Sequence, residues 1–310
     1  MEMIYPRPLK EGSKIAIISP ATVVKAEYVE GACGFLRNRG FTPVVMPHAL
    51  GPAEGTYAAS DSNRVADWLT ALSDSDIDAI LCARGGYGCV HLVAQTPLSV
   101  VRENPKWVVG FSDVSALHAL MWKAGVASIH GPMAKHLTLC PDSKATMALM
   151  HLLESGLPLD YAVEGHALNR KGRARGRLLG GNLAVLGGLA DTPFNLLAEA
   201  LNSDVVLFIE DISEAVYRVE RMLWMLHLSG VLNKVKGLII GQFTDYKPDI
   251  NFGTVEAMVS ARMEAWGLNG VPVAFNFPVG HVDYNLPLVE GCMAELEITS
   301  KNVKLRMSAI

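Results

Sequence analysis

Five short apolar runs closed by turn residues limit most strongly what the first half of this chain can fold into. They are KIAIISP (14–20), TPVVM (42–46), IDAILCA (77–83), WVVGFSD (107–113) and ASIHGPM (127–133). Helical patterns over residues 24–39, 61–72 and 113–123 lie between them, two stopped by Gly40 and Gly125. Continuous apolar strands alternating with amphipathic helices are expected to form a parallel sheet covered on both faces. Such sheets bind ligands outside the carboxyl ends of their strands. The residues just after each run are therefore where function is sought.

Beyond about residue 147 the pattern weakens into a stretch rich in glycine and basic residues, and a boundary is expected there. The expected division is a first domain over 1–150, a linker over 151–175 and a second domain over 176–310. The second part carries DVVLFIED, a helix over 214–228, KGLIIGQFTD, a helix over 255–266, VPVAFNFP and a terminal alternating pair that reads as an antiparallel hairpin. It is expected to be mixed α/β with a β-rich end.

The chain has 310 residues, half of them apolar, enough for more than one core of ordinary size. Its net charge of −4 gives no electrostatic reason to expect nucleic acid or an anionic membrane as a partner. The basic cluster Arg170, Lys171, Arg173, Arg175 and Arg177 reads as a solvated connector. Cys33, Cys82, Cys89, Cys140 and Cys292 are scattered and odd in number, so a reducing compartment and buried thiols are expected. The apolar run near the N-terminus is too short for a signal peptide, and no segment approaches the ~20 apolar residues of a membrane span. A soluble, cytoplasmic protein is expected. No metal and no cofactor are expected, because HExxH, paired CxxC and close acid–histidine clusters are absent from the sequence.

Four strand ends carry candidate chemistry. Ser112 follows Gly110 and Phe111 at a strand-to-helix junction. It is either a helix cap, the commoner role, or a nucleophile exposed on a tight turn with backbone N–H groups aimed at an oxyanion. RGGYG (84–88) ends the previous strand. It is not a phosphate loop, but its backbone could approach a ligand or face the Ser112 turn. VVLFIED delivers Glu210 and Asp211 at a strand end, as rigid acids or as caps for the next helix. His281 follows Gly280 in a loop; His130 is a credible rival base by spacing, and His118 is expected to pack on its helix. The residues alone lead to an α/β enzyme with Ser112 as the candidate nucleophile and leave its partners open.

RGGYG, GFSD, HGPM, GGNL (180–183), LFIED with YRVERML, GLIIGQF, and GH with a downstream NLPL together resemble the LD-carboxypeptidase family, along nearly the whole chain. That family includes murein tetrapeptide carboxypeptidases and microcin C immunity peptidases. The resemblance implies a flavodoxin-like N-terminal domain with the nucleophile and a C-terminal domain with the acid and base. It implies a Ser112–His281–Glu210 triad and commonly a homodimer. The oxyanion would be held by the N–H of Asp113 and by that of Gly85 or Gly86. Arg84 is a candidate for binding the terminal carboxylate, with packing of its turn or pairing with Asp113 as the other roles. The implied reaction is serine-type hydrolysis of the L,D-peptide bond before the terminal D-alanine of murein tetrapeptide, a cell-wall peptide released in recycling. The alternatives are a microcin-type immunity peptidase acting on a nucleotide–peptide amide, which needs a purine-stacking aromatic, and a non-catalytic flavodoxin-like binding protein. Ser115, where a threonine is often seen, and the NLPLVEG ending depart from the family pattern.

Overall fold

The computed structural model describes residues 2–310. Thirteen strands follow in chain order among these residues: β1 Lys14–Ile18, β2 Thr42–Val45, β3 Ile77–Cys82, β4 Trp107–Gly110, β5 Ser128–His130, β6 Leu159–Glu164, β7 Gly172–Asn182, β8 Val205–Ile212, β9 Gly237–Thr244, β10 Val273–Ala274, β11 Leu288–Glu290, β12 Met293–Ile298 and β13 Asn302–Ser308. The helices are α1 Ala26–Asn38, α2 Asp61–Ser73, α3 Cys89–Val93, α4 Leu98–Glu103, α5 Ser115–Ala124, α6 Ala134–Leu139, α7 Lys144–Ser155, α8 Leu183–Gly188, α9 Val216–Leu228, α10 Val231–Lys234 and α11 Val255–Ala265. They divide into two compact units. The first runs up to Gly156 and includes Asp283–Glu290; the second is Leu157–Val282 with Gly291–Ile310.

The first unit has the expected sheet. Its order is β2-β1-β3-β4-β5, all parallel, with β11 added antiparallel to β5. This is the flavodoxin-like doubly wound order. β3 and β4 are almost wholly buried, which is why they read as unbroken apolar runs. The helices fall into two packing groups, α1 with α6, and α2, α3, α4 and α5 with one another. A sheet with two covered faces requires two such groups.

The second unit holds a mixed sheet ordered β10-β9-β8-β7-β12-β13-β6. β7 to β10 pair in parallel; β12 and β13 form the expected terminal hairpin and, with β6, run antiparallel. Residues 151–175, expected as a linker, instead hold the end of α7, all of β6 and the start of β7. Of the basic cluster, Arg173, Arg175 and Arg177 lie on β7 and not in a connector. Arg173 and Arg175 pair across the ladder with Glu297 and Glu295 on the solvent side. The small residues between them have a packing reason. A Cβ on Gly176 would lie 2.6 Å from the Asp204 carbonyl oxygen. Composition suggested a loop, whereas the period of two in R-x-R-x-R was the strand signal.

Candidate active site

At the end of β4 the chain passes through extended Phe111 (φ −150°) into a short 3₁₀ turn, Ser112–Val114, and then into α5. Ser112 has φ +67°, a left-handed conformation that is costly for a residue bearing a Cβ. Its side chain is not a helix cap. The cap position of α5 is Val114, and no side-chain cap bond is made at either the 3₁₀ turn or α5. The half-buried serine therefore sits on a strained strand-to-helix elbow, the arrangement that displays a nucleophile.

RGGYG faces this elbow within the same unit. A Cβ on Gly85 would lie 2.9 Å from Ser112 Cβ and 3.1 Å from its Oγ, so only glycine admits the approach. The Gly85 carbonyl accepts from the Thr22 hydroxyl at 2.6 Å and the Thr22 N–H at 3.3 Å. In a trans peptide this turns the N–H of Gly86 away from Thr22. The loop is braced from below by Arg64, whose buried guanidinium donates to the carbonyls of Pro20, Ala59 and Gly88. Asp113 completes the link: its buried carboxylate accepts the Cys89 N–H at 2.8 Å, just after RGGYG. Burial raises the Asp113 pKa, while that bond works the other way. Asp113 does not pair with Arg84. Arg84 is exposed and donates to the Val23 carbonyl at 2.9 Å.

The second unit brings Glu210 and His281 together. His281 Nδ1 is 2.8 Å from Glu210 Oε2; Glu210 is fully buried and His281 mostly so. A carboxylate only accepts, so Nδ1 donates and the neutral ring keeps its lone pair at Nε2. Glu210 lies where the β8–β9 register shifts, between Ile209 and Asp211. Such irregularities re-aim side chains and occur beside active sites. The acidic pair diverges there. Glu210 goes to His281, while Asp211 accepts from Asn182 Nδ2 and from the N–H of Ala184, each at 2.9 Å. Asp211 thus caps α8 rather than the helix that follows it. GGNL supplies this partner, for Asn182 also accepts from the Val185 N–H at 3.1 Å.

The His281 loop is strapped to β9. Gln242 N–H donates to Val279 at 2.8 Å, and the Gln242 side chain donates to Asn276 Oδ1 and the Phe277 carbonyl. Gly280 (φ +121°) is required for the pair, because a Cβ there would lie 2.8 Å from Glu210 Oε2. Glu210 Oε1 is buried and has no hydrogen-bond partner among the described residues.

Ser112 belongs to the first unit and is not part of this pair. His130, the rival base, is also in the first unit, buried on β5. His118 does pack on its helix, as expected, and it also makes bonds that sequence reasoning missed. Its ring meets the Gly110 carbonyl and the Ser128 hydroxyl. Atoms of His118, His130 and Glu290 lie within 4.8 Å of one another. Both ring nitrogens of His118 are already engaged, so the trio is not an open set of ligands.

The family model for the LD-carboxypeptidase N-terminal domain matches residues 15–131, and that for the C-terminal domain matches residues 175–296. The chain belongs to the LD-carboxypeptidase family. Among its relatives is the murein tetrapeptide carboxypeptidase of Pseudomonas aeruginosa, 31% identical over 296 residues, covering 92% of this chain and 93% of the relative. The microcin C7 self-immunity protein of Escherichia coli is 25% identical over 331 residues, covering 96% and 94%. The crystal structure of muramoyltetrapeptide carboxypeptidase from Oxalobacter formigenes superposes with a TM-score of 0.84 at 28% identity, covering 96% of this chain and 99% of that one. Membership in the LD-carboxypeptidase family supports peptidase activity and a peptide substrate. Among the described residues no helix is long and apolar enough to cross a membrane.

Proposed function

We propose that this LD-carboxypeptidase family member is a serine peptidase that removes the terminal D-alanine from murein tetrapeptide through a Ser112–His281–Glu210 triad. The observation that carries the reading is the Glu210–His281 pair, a buried carboxylate holding an imidazole with Nε2 left as the base. The strained elbow of Ser112 supports the same reading from the other unit.

In this mechanism Ser112 Oγ attacks the scissile carbonyl and its proton passes to His281 Nε2. Glu210 stabilises the imidazolium that results. The oxyanion is held by the N–H of Asp113 and that of Gly85 or Gly86, donors that are worth most when fixed in advance. The tetrahedral intermediate then collapses. The C–N bond breaks, His281 gives its proton to the departing D-alanine amine, and an ester to Ser112 remains. Water, deprotonated by His281, attacks that ester and restores the enzyme. Arg84, exposed beside the Gly85 turn, is the cation offered to the substrate's terminal carboxylate.

The test is incubation of wild type and Ser112→Ala with an L,D-tetrapeptide ending in D-alanine, and with a nucleotide–peptide amide, read by mass spectrometry. Wild type should release one alanine from the first. Ser112→Ala should lose at least ~10³-fold in kcat while melting normally. Turnover retained in Ser112→Ala excludes the mechanism. Cleavage of the nucleotide conjugate alone transfers the reading to the immunity-peptidase class, and inertness toward both overturns both peptidase readings in favour of a binding protein or a different substrate.

A further inference from the structure

We infer that His118 is a positioning residue that holds the Ser112 elbow in its strained form through the Gly110 carbonyl. This rests on the reading of Ser112 as the nucleophile. His118 lies on the buried face of α5, with no exposure to solvent. Its Nε2 is 2.9 Å from the Gly110 carbonyl oxygen and its Nδ1 is 2.8 Å from Ser128 Oγ. The carbonyl can only accept, so Nε2 carries the hydrogen and Nδ1 accepts from the Ser128 hydroxyl. One neutral ring thus ties together the end of β4, the helix that follows the serine, and the start of β5.

Gly110 is clamped from other sides as well. Its carbonyl also accepts the Gly131 N–H at 3.0 Å. A Cβ on Gly110 would lie 3.0 Å from Cys82 Cβ and from both methyls of Val114. Two residues later the chain is at φ +67°. A residue with a side chain stays in that region only when its surroundings over-determine it. His118 supplies one of the two hydrogen bonds on the last carbonyl of the strand that feeds the turn. Burial lowers the ring's pKa to about 4, so the neutral form that makes both bonds is the one present at neutral pH. The titratable groups that face it, His130 on β5 and Glu290 on β11, are buried, and each has a nitrogen or oxygen atom within 4.8 Å of one of its ring nitrogens.

The experiment uses the full chain as wild type, His118→Leu, His118→Gln and Ser128→Ala. Leu removes both bonds, Gln returns a donor, and Ser128→Ala removes one bond while keeping the ring. Four quantities are read: kcat and KM on the L,D-tetrapeptide, the rate of covalent labelling of Ser112 by a fluorophosphonate, and bound zinc by elemental analysis. Misplacement of a reacting group by about 1 Å costs on the order of 10²-fold. His118→Leu should therefore lose roughly 10- to 100-fold in both kcat and labelling rate with KM unchanged. His118→Gln should recover most of that, and Ser128→Ala should lose only part of it. Labelling at the wild-type rate in folded His118→Leu overturns the inference. So does labelling at the wild-type rate in Ser128→Ala should the leucine variant fail to fold. One equivalent of zinc lost on substitution also overturns it, since the ring would then serve a metal. A wild type that is neither labelled nor active overturns the nucleophile reading itself, and this inference with it.

Discussion

Asp211 shows how one step along a strand changes the job of a carboxyl group. Glu210 holds the imidazole, while its neighbour is buried against Asn182 and the start of α8. Burial, with the Glu210 charge adding to it, raises the Asp211 pKa to about 6 despite three hydrogen bonds that favour the anion. The folded chain therefore binds a proton that the unfolded chain has released between about pH 4 and 6, so this group's contribution is full at low pH and is lost as pH rises through its folded pKa. A folded pKa of about 6, against the ordinary aspartate value of about 4, corresponds to roughly 3 kcal/mol. We expect the unfolding free energy of wild type to fall relative to that of Asp211→Asn by about that amount between pH 4 and 7. Urea melts across this range measure it, and parallel curves for the two proteins would exclude it. At this scale the placement of the candidates Ser112 and Glu210 was legible, because strand ends announce themselves in sequence. The Ser112 cap reading fails because the turn is left-handed, and φ is not written in residue type. The His118–Ser128 bond was illegible for a different reason: nothing but the closing of β5 against β4 brings them together.

At the level of elements, β12 separates two kinds of side chain. Glu295 and Glu297 face solvent opposite Arg175 and Arg173, beside a trough of about 690 Å³ that contains none of the candidate catalytic residues. Ala294, Leu296 and Ile298 face the core. Exposed ion pairs contribute little, because holding two long side chains in one geometry offsets the attraction. Arg175→Ala should leave the thermal midpoint where it was. Leu296→Ala removes a buried side chain and should cost about 2–5 kcal/mol. Equal losses in the two variants would show that the charged ladder holds the sheet. The apolar half of this alternation was readable, and the hairpin was expected from it. The start of β7 was hidden because glycine and arginine are common in loops, and composition outweighed the period-two spacing.

For the whole molecule the chain passes between the two units at Gly156, at Val282 and at Glu290. The first unit is therefore not a continuous piece of sequence. β11 returns from residues 288–290 to pair with β5, matching Leu288 with His130 and Glu290 with Ser128. Without it β5 would be an open edge, which invites pairing with another chain. We expect residues 1–156 expressed alone to self-associate on size exclusion, and the same segment joined to residues 283–290 by a short linker to run as a monomer. Equal behaviour of the two would show that β11 is dispensable. A parallel first half and a mixed second half were legible from the rhythm of apolar runs; the returning strand was not, because three residues carry too little pattern to reveal a partner some 160 positions away. That return also bears on descent. Recombination at one breakpoint near residue 156 would give the amino-terminal half a stranger's edge strand, so exchange of halves between relatives requires breakpoints on both sides of 283–290.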